Sequence, residues 1–513
     1  MTAAWIIALF TSLPVEAQLL RRGIGPEPDS LHIHEAQGLS SLHVLREIRE
    51  GLFTFDQAGE PVAGVAASWR VSEDGRTWRF VMRPDARWSN GNPVVAEDFV
   101  RAWRRALDPT TQARNAQLLS AFEGAAEIMR GEAPPETLGV NVVAPGVLEL
   151  RLARVTPWLP EILAHPVSYP LHALDEGNPR AAPVNGAFVI AEAVPHAVIR
   201  LRPNTEFHDR ASVKPSVVEL YPIEDPAAEL VRFRAGELDM TESIPPGRFE
   251  WLQQNLGDAL RVSPYVGSFW LGLNLTRAPL KGNPALRQAL SLAIDRDILT
   301  RVVLGAGEMP AWGIVPPGLG YPWTPASARL SGELRESEAR RLFAEAGFDR
   351  RNAPTLELRY NTSSQHRRMA VAVAAMWKQV LGVSTTLINE EWKVFVNNRR
   401  QRVVTEVFRG GWIADYADPA SFLDLFRGDD PMNWSGWSDP GFDELMKRAT
   451  RLEGADRLGV LAQAERRLLD DMPVIPLYYY VSRHLVSPVV SGWTDNVRDI
   501  HLSRYLEIRT DAR

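Results

Sequence analysis

The 513-residue chain contains no cysteine. Disulfides, thiolate nucleophiles, Cys-ligated zinc or iron–sulfur centres and thioether-attached haem are therefore excluded. It has no excess of positive charge either. The 57 Lys plus Arg against 63 Asp plus Glu leave a formal charge of -6, so no global basic field gathers phosphates, and nucleic acid is not an expected partner. No apolar run reaches the roughly 20 residues of a bilayer span. Catalytic signatures are missing as well: there is no G-x-S-x-G elbow, no G-x-x-x-x-G-K-[ST], no H-E-x-x-H, and no G-x-G-x-x-G after a strand. Gly305-Ala306-Gly307 and Gly318-Leu319-Gly320 are too short to hold phosphate and read as turns. The ten histidines are scattered, and His32 and His34 would share one strand face with no third ligand at metal spacing. The pairs Asp429-Asp430 and Asp470-Asp471 read as solvated charge. No catalytic residue, metal or cofactor is expected, and the chain reads as a binder and not an enzyme.

What is present is an ordinary globular composition, 45% hydrophobic and 23% charged, long enough for about three domain-sized units. Residues 3–15 form an apolar run of signal-sequence length, followed by Val15-Glu16-Ala17. Export with cleavage after Ala17 is expected, although no Lys or Arg precedes the run.

Hydrophobic patterning divides the remainder. Residues 47–83 are strand-rich, with turns at 56–59 and 72–75. Phe99, Trp103 and Leu107 recur at helical spacing, and residues 140–153 read as two strands around Pro145-Gly146. A proline-rich stretch from Pro157 to Pro170 suggests a crossing between domains. Strands return over 186–221, and an amphipathic helix follows over 227–239, ending near Gly236. Beyond Arg261 the texture turns helical: 285–305, 337–347 and 366–382 each end on a glycine, as a left-handed cap requires. The order LELRYNT, helix, VSTTLINEEW predicts a β-α-β unit with parallel pairing, and hence an α/β lobe.

Residues 360–480 carry the densest polar and aromatic content. YNTSSQHRRMA, NEEWKVFVNNRR, FRGGWIADYADPASFLDLF, MNWSGWSDP and PVIPLYYYVSRHLV place Trp, Tyr, Arg and Asn in separate short segments. Aromatic walls with a few polar anchors suit a ligand cavity. Asp415 follows a Gly-Gly-Trp turn, while Arg409, Arg399, Arg400 and His366 supply positive charge. An anion at one end and cations at the other suit a zwitterion such as a free peptide. Pairing of Arg409 with Asp415 across their own turn is the alternative that spacing leaves open.

These segments resemble the peptide-binding branch of the extracytoplasmic solute-binding proteins (family 5) that feed ABC importers. EGLFTF, GVAASW, RPDARWSNGNPVVAEDFVRAWRRALDP, HPVSYP, RFRAGELDM, AIDRDIL, MPAWG and YYYVSRHLV follow the family's order through nearly all of the chain. YNTSSQH, EEWKVF, RGGWIADY and the triple tyrosine are more specific to the oligopeptide branch. The resemblance implies an α/β, two-lobed periplasmic-binding-protein-like fold with three domains, of the type II (cluster C) class. Domain I would comprise residues 18–47, 170–266 and 483–513, domain II 48–169, and domain III 267–482. It further implies a monomer in the periplasm that closes on short peptides of about two to five residues, held as an added strand, and delivers them to an ABC permease.

Carried over position by position, the resemblance assigns Asp415 to the peptide α-amine, and Arg409, Arg399 and His366 to its C-terminal carboxylate. Trp392, Trp412, Tyr265, Asn361, Asn433 and Tyr480 would line pockets and backbone rails. Gly411 would allow close main-chain approach, and Gln37, Gly38 and Leu39 would form the facing edge. Four positions depart from the closest family pattern: Gln37 for Glu, Asn115 for a pocket Tyr, Arg400 for His, and Leu304 for Lys. Gln37 and Arg400 imply a cavity less hospitable to basic side chains, and Leu304 leaves pentapeptides without one anchor. Gly267 and Ile413 stand where relatives carry a disulfide. A murein peptide, haem, an opine or a metal chelate in the same fold remains a second implied ligand class, and an exported peptidase or amidase a third reading.

Overall fold

A computed structural model describes residues 18–509 except 37, 176–181, 246, 321–322, 415 and 431, and of Trp392 and Lys393 the backbone alone. The expected signal segment, Gln37 and Asp415 thus lie outside the described residues. Among the described residues, no helix is long and apolar enough to cross a membrane.

Three sheets organise the chain. The first has the spatial order Leu19–Gly23, Val217–Tyr221, Val198–Pro203, Phe188–Val194. The second is antiparallel, in the order Ala66–Val71, Thr77–Met82, Val147–Arg151, Val140–Ala144. Its strand Thr77–Met82 alternates strictly, with Trp78, Phe80 and Met82 turned inward, as a sheet with one wet face requires. Helix Ala96–Leu107 buries Phe99, Trp103 and Leu107 as their spacing predicts. One continuous apolar core runs from Leu20 and Val218 of the first sheet to Phe80 and Trp103 beside the second and on to Leu506 near the C-terminus. Two sheets on one core make a single lobe.

The third sheet has six strands: Met309–Pro310, Val474–Leu485, Leu260–Leu273, Val407–Ile413, Thr355–Asn361 and Ser384–Glu390. Thr355–Asn361 and Ser384–Glu390 pair in parallel, and helix Ser364–Leu381 connects them, which is the β-α-β unit that the sequence predicts. Ser363 caps that helix by accepting from the His366 N–H, and Gly382 closes it at φ +84°. Separate apolar cores cover the two faces, one around Phe269, Leu358 and Trp377, the other around Trp270, Phe422 and Trp437.

Two expectations change. The helix predicted over 285–305 is broken into Pro284–Leu292, Arg296–Ile298 and the π-helical segment Leu299–Leu304. The side chain of Asp295 accepts from the Ile298 N–H and starts a new helix where the periodicity reads through. His32 and His34 lie in a turn and not on a strand, because the His32 Nδ1 accepts from the His34 N–H at 3.1 Å and folds the chain back.

The lobes are joined where Leu260–Leu273 and Val474–Leu485 run antiparallel between them. Their far ends lie in the third sheet. Their near ends bond to the first lobe, through Val266 N–H to the Val497 carbonyl at 3.0 Å and Leu485 N–H to the Thr241 Oγ1 at 2.9 Å.

Candidate functional site

Two cavities open between the lobes. The first, of about 270 Å³, is lined by Leu39, His43 and Asn115 on one side and by Tyr265, Ile413 and Ala414 on the other. The second, of about 560 Å³, lies between Arg154 and Trp158 of the first lobe and Trp412, Asp424 and Met432 of the other. A cross-lobe contact separates them. Trp158 stacks on Tyr416 with centroids 4.5 Å apart and planes at 1°. Glu161, on helix Leu159–Leu163, accepts from the Ala417 N–H at 2.7 Å and from Arg498 at 2.8 Å. Arg457 grips Asp418 with both terminal nitrogens and lies 5.8 Å from the Trp158 ring.

The cationic groups gather around the rings of Phe269 and Phe395. Strand Val407–Ile413 pairs with Leu260–Leu273 so that Arg409 opposes Leu271 and Gly411 opposes Phe269. The Arg409 guanidinium lies 5.9 Å from the Phe269 ring and 5.8 Å from Phe395, and its Nε donates to the Asn361 Oδ1 at 2.8 Å. The His366 ring is 5.5 Å from Phe269, with Nδ1 3.4 Å from the Asn361 carbonyl. Arg399, on helix Trp392–Gln401, is 5% exposed and lies 3.3 Å over the Trp434 ring and 5.1 Å from Phe395. Its Nε is buried without a hydrogen-bond partner, and no carboxylate pairs with it among the described residues. Burial, then the neighbouring Arg409 and Arg400, pushes the Arg399 guanidinium down to about 9. Burial, then Arg409, pushes His366 down to about 4, so the imidazole is neutral at pH 7. Burial also lowers Arg409. None of these three groups lines either of the two cavities, and buried positive charge of this kind is compensated by a carboxylate brought against it.

Tyr480 completes this wall. Its ring is perpendicular to Phe269 at 6.4 Å and packs over two glycines. A Cβ on Gly267 would fall 2.3 Å from the Tyr480 Cδ2, and one on Gly411 would fall 3.0 Å from its hydroxyl. Gly267 and Ile413, the expected disulfide positions of relatives, are direct cross-strand partners.

The sequence-predicted residues therefore separate into groups. Arg409, Arg399, His366, Asn361, Gly411 and Tyr480 come together. Leu39, Asn115 and Tyr265 line the first cavity, with Gly38 at the N-cap of helix Leu39–Ile48, and Trp412 lines the second. Burial raises the Tyr265 phenol to about 12, so it stays a neutral donor on that wall. Asp415, Gln37 and the Trp392 side chain lie outside the described residues. Two assignments change. Arg400 is exposed, because consecutive helical residues differ by about 100° and Arg399 takes the inward direction. The Asn433 amide is occupied by the Phe426, Arg427 and Trp437 carbonyls at 3.4, 3.0 and 2.7 Å, where it closes its own loop. Leu304 is buried in the third-sheet core. Sequence reasoning missed Trp158, Glu161, Tyr416 and the first-lobe groups His43, Glu242 and Asp499, which line the first cavity. The Pro-rich stretch around Trp158 was the one signal pointing to this contact.

Comparison with known proteins identifies the family and the fold. The family described as bacterial extracellular solute-binding proteins, family 5 (middle region), matches residues 60–434. The chain is 35% identical over 506 residues to the periplasmic oligopeptide-binding protein OppA of Escherichia coli K12, covering 95% of this chain and 93% of that protein. It is 34% identical to the periplasmic murein peptide-binding protein MppA of the same organism, covering 96% and 94%. Among solved structures, the unliganded open form of MppA matches with a TM-score of 0.91 at 33% identity, covering 97% of this chain and 99% of that one. OppA of Haemophilus influenzae in complex with RPPGFSPFR gives 0.72 at 32% identity, covering 96% and 99%. Identity and coverage are alike in the two matches, so the drop in TM-score reflects lobe arrangement, and the arrangement here is that of the open form.

Proposed function

The chain belongs to the bacterial extracellular solute-binding proteins of family 5, and from that premise we propose that it captures short peptides between its lobes and delivers them to an ABC importer permease. Members of this family bind and do not catalyse. The Escherichia coli homologues OppA and MppA are named as periplasmic, and the finer reading for this chain is export with cleavage near Ala17, action as a monomer, and the three-domain division at 48–169 and 267–482.

The observation that carries the reading is the buried cluster of Arg399, Arg409 and His366, in which Arg399 has no carboxylate partner among the described residues. A peptide C-terminus would supply the missing anion, and bidentate guanidinium–carboxylate geometry would fix its direction. In this reading Asp415 receives the α-amine. Ala414 and Tyr416, on either side of it in sequence, line the first cavity. Leu39, Asn115, Tyr265 and Trp412 face the ligand backbone and side chains, where ordered water tolerates many sequences. Murein peptides carry the same free amine and carboxylate and fall within this class.

The test is calorimetric titration of refolded, ligand-stripped protein with a mixed tripeptide pool, in parallel with the same pool α-N-acetylated and the same pool C-terminally amidated. Free peptides should bind, and each blocked pool should bind at least about tenfold more weakly, one charge-assisted contact being worth about 1.5–3 kcal/mol. Equal binding of all three pools would overturn both terminal assignments. Absence of binding by the free pool would overturn the peptide reading itself.

A further inference from the structure

Away from the cationic wall, three metal-ligating side chains meet where the crossing strands enter the first lobe. His484 is the penultimate residue of Val474–Leu485, and Asp499 and His501 stand on the C-terminal return segment. The His484 Nε2 lies 2.7 Å and the His501 Nε2 3.2 Å from the same Asp499 oxygen. All three donor atoms fall within 4.8 Å of one another, and no other trio of His and carboxylate groups does so among the described residues.

We propose that His484, Asp499 and His501 form a site for a divalent transition-metal ion of the zinc class at the pivot between the lobes, reached from the cleft. The donor chemistry suits such an ion: two imidazoles and one carboxylate leave a coordination position open. Four donors at about 2.0–2.1 Å from a tetrahedral ion stand roughly 3.3 Å apart, against 2.7 and 3.2 Å for the two His–Asp separations here and at most 4.8 Å for the third.

The surroundings orient the donors. The His484 Nδ1 lies 3.0 Å from the Thr241 carbonyl, which can only accept, so Nδ1 carries a hydrogen and Nε2 is the atom for which a proton and a metal ion compete. His501 stacks on Trp493 with centroids 3.6 Å apart, and the same indole meets His484 edge-on at 5.4 Å. One aromatic side chain thus holds both imidazoles. Access comes from the first cavity, which Asp499 lines together with Glu242 and His43, themselves bonded at 3.0 Å. An ion at this point ties the end of one crossing strand to the segment that contains Val497, the hydrogen-bond partner of the other strand at Val266.

A metal-free His–Asp–His hydrogen-bond network would produce the same distances, and titration separates the two. Untagged, chelator-treated, peptide-stripped protein is titrated with Co2+ alone while visible absorption is recorded, and then with Zn2+. One equivalent of Co2+ should give the d–d bands of a four- or five-coordinate nitrogen and oxygen site, and one equivalent of Zn2+ should bleach them. His501→Gln and Asp499→Asn, each checked for native circular dichroism, should weaken Co2+ binding about tenfold or more. His196→Gln, at a distant exposed turn, should leave it unchanged. Absence of bands in the unaltered protein would overturn the site without recourse to any variant, and so would bands that keep their affinity in both His501→Gln and Asp499→Asn. Neither result depends on peptide binding.

Discussion

Two regions of this molecule bury charge, and they do it in opposite ways. In the first lobe several of the most deeply buried charges meet their complements. Arg49 and Asp175, with side chains 1% and 0% exposed, form a two-pronged pair, Arg22 bonds Glu47 and Ser503, and Glu50 lies between His208 and Arg504. On the wall of the third sheet, Arg399, Arg409 and His366 are packed with one another around aromatic rings. Burial of an ion is costly unless opposite charge and hydrogen bonds compensate it within the fold. The first lobe compensates internally, and its pairs hold segments together. On the third-sheet wall Arg399 has no carboxylate partner among the described residues, and in the proposed function an incoming carboxylate supplies one.

The contrast is broken most severely by removing one partner of a satisfied pair. Asp175→Ala leaves Arg49 buried without an anion and should cost about 3–5 kcal/mol in chemical denaturation. Arg399→Met should do the reverse. Unliganded stability should hold or rise, because a buried guanidinium with no anionic partner is removed, while affinity for carboxylate-terminated peptides of matching length falls by about 1.5–3 kcal/mol in calorimetry. A loss of unliganded stability as large as that of Asp175→Ala would erase the distinction.

His366 sharpens it further through pH. Its pKa of about 4 in the unliganded fold lies below the ordinary value of 6.5, so its contribution to stability is complete above pH 6.5 and is lost as pH falls towards 4. A peptide carboxylate nearby raises that pKa, so binding takes up protons, and affinity should increase by about tenfold between pH 7.5 and pH 5, about 1.4 kcal/mol. His366→Gln should flatten this profile, and a flat profile in the unaltered protein would remove His366 from the carboxylate site. The smallest effect belongs to Arg400→Ala, which should change stability by less than about 0.5 kcal/mol and leave peptide affinity within about twofold, since its side chain is exposed.

Elements with a local cause were legible in the sequence. Helix Ser364–Leu381 carries its closing glycine beside its apolar stripe, with its cap serine just before it, and the preceding strand alternates, so both the unit and its parallel pairing could be read. The cationic wall was legible because Arg409, Arg399 and His366 fall in one stretch of chain and in recognisable family segments. What failed to appear depends on rotation or on distance. Arg399 and Arg400 are adjacent letters about 100° apart around a helix, one buried and one exposed. Asn433 has the composition of a pocket residue, yet three loop carbonyls surround it. Glu161 and Ala417 are 256 residues apart, and Asp499 and His43 line one cavity from opposite ends of the sequence. No local pattern encodes such meetings, which arise only when the two lobes are set against each other.

The contact of Glu161 and Trp158 with the segment after Ile413 has a mechanical meaning. A door hung on one pin wobbles in every direction, whereas a door hung on two swings about a single line. The crossing strands are one pin. The stack of Trp158 on Tyr416, with Glu161 reaching Ala417, is a second, already engaged in the open arrangement. Two fixed points define an axis, so under the proposed function lobes that keep both contacts search only one angular coordinate to meet across a peptide. Closure about one axis then gives up less entropy, and more of each contact with the peptide remains as affinity.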